Sequence, residues 1–211
     1  MLISPDSPGV ADAANSIQNG ELIAFPTDTF FAMGADGLNA DAVDSVFKVK
    51  GRNSGTPVPL LVNDASMVEQ LATDLPGPLA KLAEEFWPGA LTIVLPASST
   101  VPEVVTARTG TVGVRVPDNE VAVKLIEESG TPITGTSCNL TGRDPIKDAG
   151  SVEQFFNDRI YGVIDAPCGD STAPSTVVSY DPASGGAVNV LRLGAISSKS
   201  LRKIVGNIVN G

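Results

Sequence analysis

Lys48, Lys50 and Arg52 bring three cations within five positions, in a chain whose formal net charge is −10. The preceding residues, 1–47, hold seven acidic side chains and no Lys or Arg. Gly51 permits a sharp backbone turn, so that Lys50 and Arg52 can reach a common point, as a polyphosphate requires. The same cluster also fits a solvated helix end, where cations complement the dipole. Three further polar segments have residue types suited to chemistry. Pro26-Thr27-Asp28-Thr29 places hydroxyls and a carboxylate directly after an apolar run, either to orient an amino acid or to build a turn. GTSCNLTGR, from Gly135 to Arg143, combines small hydroxyls, an amide and glycines. It allows close backbone approach to a phosphate or base, and equally an Asx/Ser turn. Ser175-Thr176-Val177-Val178, followed by Leu191-Arg192-Leu193-Gly194, completes the set.

What the chain lacks narrows the chemistry. It has no histidine, which removes the commonest general base, the Ser-His and Cys-His nucleophile pairs and most zinc sites. Cys138 and Cys168 have no metal-ligand spacing and are too few for a disulfide framework, so free thiols are expected. Neither a GxxxxGK[ST] phosphate loop nor a GxGxxG after a strand occurs. Chemistry must therefore run on carboxylates, hydroxyls, amides, cations and a borrowed metal. The acidic balance argues against broad nucleic-acid binding, which depends on neutralising phosphates. No apolar run approaches the roughly 18 residues of a membrane span. Met1 to Gly20 carries no basic residue to start a signal peptide, and residence in the cytoplasm is the expectation. Asn139-Leu140-Thr141 fits a glycosylation acceptor, which a cytoplasmic chain would not use.

The elements that must position these segments follow from periodicity. Helices are expected over residues 9–19, from the Asn39 cap to Lys50, 64–72, 76–87, 118–129, from a Ser151/Gln154 capping box to Phe156, and 198–209. Strands are expected over 21–25, 58–62, 91–95, 112–116, 132–136, 161–165, 175–180 and 187–193. In the 112–116 strand, Arg115 lies opposite the face of Val112, Val114 and Val116. This alternation predicts an α/β (α+β) domain with a twisted mixed sheet flanked by helices. One domain over 1–211 is the expectation, with ligands on the loops at 26–38, 51–57, 135–146 and 166–175.

Each polar segment is unspecific by itself, but their order is not. PTDTFFAMGADGLNADAVDSVFKVKGR resembles the hallmark segment of the YrdC family, PT-[DE]-T-x-Y-G-L-G followed by KGR. WPGALTIVLP, TVGVRVP, TSCNLTGR, STVV and LRLGAIS then follow in that family's order, and the resemblance spans about residues 8–197. It implies a twisted mixed sheet with a large concave, positively charged cavity. It implies a threonylcarbamoyl-AMP synthase that condenses L-threonine, bicarbonate or CO2 and ATP, with Mg2+, and releases pyrophosphate. A partner transferase complex would pass the threonylcarbamoyl group to a tRNA adenosine beside the anticodon, and tRNA itself would bind weakly or indirectly. Two other readings are a carbamoyl-transfer domain of the hydrogenase-maturation kind and a non-catalytic RNA-binding or ribosome-maturation module. The resemblance assigns Lys50 and Arg52 to catalysis on the nucleotide phosphates. It assigns Thr29, Thr111, Arg115 and Ser175 to threonine, and Thr56, Ser137, Asn139 and Arg192 to the nucleotide. It implies no protein metal site. Phe31 replaces the usual tyrosine, Leu61 a histidine, Thr56 an asparagine, Cys138 an alanine and Leu193 a proline. Ending one helix beyond LRLGAIS, the chain resembles the short form of the family.

Overall fold

Short apolar runs with strict period-two alternation force each strand to choose which face it buries. The computed structural model describes residues 1–53, 55–140 and 144–211. In chain order, β1 (Leu2–Ile3) leads into α1 (Ser7–Gln18), capped by Asp6, whose carboxylate accepts from the Gly9 amide. β2 (Ile23–Phe25) and β3 (Ala32–Gly34) form an antiparallel pair. α2 (Ala40–Lys50) starts at the Asn39 cap, which accepts from the amides of Asp41 and Ala42. It stops at Gly51, where φ is 58°, a conformation that glycine adopts without Cβ cost. β4 (Leu60–Leu61), α3 (Val68–Leu71), α4 (Gly77–Phe86), β5 (Leu91–Pro96), α5 (Glu103–Thr106) and β6 (Thr111–Arg115) follow. Then come α6 (Glu120–Ser129), β7 (Ile133–Thr134), β8 (Thr136–Ser137), α7 (Ala149–Phe156) and β9 (Gly162–Ile164). β10 (Thr176–Asp181), β11 (Ala187–Arg192), α8 (Ser198–Val205) and β12 (Val209–Asn210) end the described chain.

The strands form two mixed sheets, in the orders β1-β9-β2-β3-β8 and β12-β11-β10-β5-β6-β4-β7. The smaller sheet is covered on both faces. Ile23, Phe25, Ala32 and Ile164 pack against α1 and α6 through Val10, Ala13, Ile17 and Leu125. Their alternating neighbours Ala24, Met33 and Val163 pack with Val46 of α2 and Val152 and Phe156 of α7. The larger sheet buries one face only. Leu91, Ile93, Leu95, Val112, Val114, Val178 and Val188 join Leu79 and Leu82 of α4 and Leu201 of α8. Its other face carries Thr92, Val94, Thr111, Gly113, Arg115 and Val177, and these form a cavity wall.

The α/β class with mixed sheet and flanking helices is as the sequence indicates, and the differences are local. The run at 132–136 is not one strand. It breaks at Gly135, so that β7 pairs with β4 of the larger sheet and β8 with β3 of the smaller. The small helix at 149–156 is capped by Asp148, which accepts from the Ser151 amide, and not by Ser151. The final helix ends at Val205, and residues 209–210 add a strand beside β11. Three elements fell in stretches read as loop or left unassigned: β1, β3 and α5. No helix among the described residues is long and apolar enough to cross a membrane.

Candidate active site

Between the two sheets lies a cavity of about 570 Å³, lined from both of them and from the turn after α2. Three arginines, Arg52, Arg115 and Arg192, reach its wall, and no Asp or Glu is among its described lining residues. On a protein with ten excess negative charges, that separation makes the cavity a local trap for anions.

Arg115 sits where the smaller sheet's first hairpin meets β6. One terminal nitrogen forms an ion pair with the Asp28 carboxylate, in a setting where both side chains are largely buried. Its Nε donates to the Gly89 carbonyl at 2.8 Å and its other terminal nitrogen to Thr29 Oγ1 at 3.3 Å. Burial lowers the Arg115 pKa from its ordinary value, and the Asp28 carboxylate opposes that shift. Thr29 Oγ1 in turn meets Thr27 Oγ1 at 3.0 Å, and the Thr27 hydroxyl donates to the Phe30 carbonyl at 2.8 Å. The PTDT segment is thus both a turn and a cradle: its hydroxyls face the cavity while its carboxylate holds the arginine.

Arg52 reaches the cavity from the turn after α2. Its two terminal nitrogens donate to Thr136 Oγ1 at 3.0 Å and to the Pro57 carbonyl at 2.8 Å, and its guanidinium lies 5.7 Å from the Phe47 ring centroid. Arg192 donates through one terminal nitrogen to the Ser175 carbonyl at 2.9 Å and to Ser175 Oγ at 3.1 Å. Ser175 Oγ also meets Thr92 Oγ1 at 2.8 Å. Burial, and secondarily the charge of Arg192, lowers the Arg52 pKa, while burial and then Arg115 lower that of Arg192.

Eight of the residues singled out in the sequence line this one cavity: Thr29, Arg52, Thr56, Thr111, Arg115, Ser137, Ser175 and Arg192. Lys50 and Asn139 are not among its lining residues. The common point foreseen for Lys50 and Arg52 proves to be a strand and not an open space. Arg52 holds a β8 side chain from the cavity face, while Lys50 Nζ donates to the main-chain carbonyls of Ser137 and Asn139. Thr141 to Arg143, the end of the GTSCNLTGR segment, lie outside the described residues.

The departures from the family pattern divide by location. Leu61 and Phe31 are fully buried yet form part of the apolar wall, which gives the cavity a dry side. Cys138 points into the core with Met33 and Phe156, and burial pushes its thiol up to about 12. Leu193 is 60% exposed and outside the wall. Sequence reasoning missed Thr92 and Thr109, and it named Asp28 and Thr136 only as members of the PTDT and GTSCNLTGR segments, without a role of their own. The signal for Thr92 was present: it alternates with Leu91, Ile93 and Leu95, so it must face away from the core. The Asp28 carboxylate was visible in the sequence but its pairing with Arg115 was not, since the two are 87 residues apart.

The class of protein is thus a mixed α/β fold whose two sheets enclose a cavity with three arginines and no carboxylate among its described lining residues, a setting suited to small anions. The model of the Sua5/YciO/YrdC family, described as "Telomere recombination", matches residues 15–194, and the chain belongs to that family. A threonylcarbamoyl-AMP synthase of Pyrococcus abyssi is 38% identical over 93% of this chain and 57% of its own length. One of Bacillus subtilis is 35% identical over 98% of this chain and 59% of its own. The chain therefore spans less than three-fifths of either relative. The crystal structure of P. abyssi Sua5 complexed with L-threonine superposes with a TM-score of 0.93, at 34% identity, covering all of this chain and 62% of that one.

Proposed function

We propose that this chain is a threonylcarbamoyl-AMP synthase: it condenses L-threonine, bicarbonate or CO2 and ATP to threonylcarbamoyl-AMP, releasing pyrophosphate. The observation that carries this reading is the cavity, with three arginines on its wall and no carboxylate among its described lining residues. Every reactant is anionic or zwitterionic, so each has a charge to place there. The names of the relatives that match over most of this chain agree with it.

The Arg115 end suits the amino acid. A guanidinium has five N–H donors, and three of the five are engaged by Asp28, Gly89 and Thr29, leaving a fixed edge for a carboxylate. Thr27, Thr29 and Thr111 supply hydroxyls nearby. The Arg52 side, with Thr136, Ser137 and Thr56, suits the nucleotide phosphates, and Arg192, held by Ser175, adds a third cation to the same wall. The threonine ammonium gives up one proton, and the resulting amine adds to the carbon of bicarbonate, forming the N–C bond as one water leaves. A carbamate oxygen then attacks the α-phosphorus of ATP, and the bond to pyrophosphate breaks. No histidine exists and no carboxylate is among the described cavity residues to take the proton, so water receives it. The protein's work is positioning and charge neutralisation, and no covalent intermediate is needed. The described residues hold no cluster of metal-ligating side chains. Mg2+ enters with the substrate, carried in on the phosphates of ATP.

In this reading the reaction makes the chain a nucleotidyltransferase whose product goes to a tRNA-modifying transferase complex. A reaction drawing on ATP and serving tRNA belongs in the cytoplasm. The test is pyrophosphate release from ATP and Mg2+ by this chain, with threonine and bicarbonate each supplied or withheld. Release only when both are present supports the reading; release indifferent to threonine refutes it.

A further inference from the structure

Lys50 is the last residue of α2, and it is only 3% exposed. Its ammonium has no carboxylate within ion-pair distance among the described residues, and it is not part of the cavity wall. Instead Nζ donates to the carbonyls of Ser137 and Asn139, the latter at 2.7 Å. Between these two carbonyls, the Cys138 amide donates to the Phe31 carbonyl at 2.7 Å, and the Cys138 side chain is buried. The segment is therefore pinned on both sides: by β3 through Cys138 and by α2 through Lys50. The loop's own side chains complete the brace, with Ser137 Oγ donating to Asn139 Oδ1 at 2.5 Å and Asn139 Nδ2 to the Leu140 carbonyl at 3.0 Å.

We propose that Lys50 is a positioning residue: it sets the backbone of Ser137 to Asn139, and so the Ser137 hydroxyl on the cavity wall, and it does not bind phosphate itself. This rests on the nucleotide reading of the cavity. A buried ammonium without a counter-ion is costly, so a site that needed the charge would surround it with anions or open it to ligand. Neither is found here. Two N–H donors satisfy two carbonyls, and a neutral amine also has two. Burial accordingly brings the Lys50 pKa down to about 8, with the neighbouring Arg52 charge adding to that effect. The KGR segment then divides its labour, with Arg52 addressing the ligand and Lys50 the loop that receives it.

The experiment compares adenosine, AMP and ATP as binding probes, measured by calorimetry on the wild-type chain and on Lys50→Met and Arg52→Met. A phosphate ligand contributes in proportion to phosphate number, whereas a misplaced loop weakens all three nucleotides alike. Lys50→Met is expected to raise the three dissociation constants by one common factor, roughly tenfold for two lost charge-assisted hydrogen bonds. Arg52→Met is expected to weaken ATP far more than adenosine. Ser137→Ala, which should weaken ATP in the wild type, is expected to cost little more in Lys50→Met, because the hydroxyl is already misplaced. A loss in Lys50→Met graded from adenosine to ATP, no loss at all, or full additivity with Ser137→Ala overturns the proposal. Should Lys50→Met not fold, the wild type decides: the ¹⁵Nζ resonance of Lys50 should stay in place when ATP is added. A shift that grows from AMP to ATP would contradict it. A wild type that binds none of the three probes takes down the nucleotide reading itself, and this inference with it.

Discussion

At the scale of single residues, the site is governed by what burial does to charge. Arg115 and Asp28 are 7% and 15% exposed at the side chain and form one ion pair. Removing one partner strands the other, which typically costs about 3 kcal/mol. Asp28→Ala should therefore lower the unfolding free energy by that amount, seen as a lower denaturant midpoint at unchanged slope, and should raise the threonine KM as Arg115 loses its orientation. A shift below about 1 kcal/mol would show the pair to be solvated. Lys50 carries a pH signature. Below pH about 8 it is charged in both the folded and unfolded states, and the folded state bears the cost of burial. Between about 8 and its ordinary 10.5 the unfolded chain binds more protons, so this residue makes stability rise with pH. The stability difference between wild type and Lys50→Met, measured at pH 7.5 and 10, should move in the wild type's favour at the higher pH. A constant difference would contradict the burial argument. Of the two thiols, buried Cys138 should resist alkylation in the native state while half-buried Cys168 reacts. Equal labelling, followed by mass, would refute that contrast.

At the scale of elements, caps and glycines decide where the site residues end up. The Asn39 cap was legible in the sequence because an amide side chain precedes a clean 3.6-residue apolar period. Asn39→Ala should cost about 1 kcal/mol of stability by chemical denaturation. The break at Gly135 was not legible, because a strand that changes sheet has the same apolar pattern as one that does not. A Cβ at Gly135 would lie 2.6 Å from Leu61 Cγ, in the apolar floor of the cavity. Leu61 is buried and cannot move aside without disturbing its neighbours. Gly135→Ala should therefore destabilise by about 1–3 kcal/mol and weaken substrate binding together. Unaltered stability and binding would mean that the floor yields. β3 went unread for a related reason: three residues between two polar turns are too short for any periodicity.

At the scale of the whole molecule, the sequence shows more of the site than of the frame. Eight of its candidate residues converge on one cavity because motif order survives in a single dimension. The division into two sheets is a property of pairing between distant segments, such as Ala32 with Ser137 and Leu60 with Val114, and composition does not encode it. Net charge misleads for the same reason. The sum of −10 hides a cavity whose charged wall residues, among those described, are all arginines. ATP affinity should accordingly fall as salt rises, while the affinity for adenosine stays nearly constant. The central claim is that this cavity joins threonine, bicarbonate and ATP into one product. The most direct measurement supplies ¹³C-bicarbonate, threonine, ATP and Mg2+ to this chain and examines the nucleotides by mass spectrometry. The account predicts an adenylate carrying both threonine and one ¹³C atom; a threonyl adenylate without the labelled carbon, or AMP alone, would contradict it.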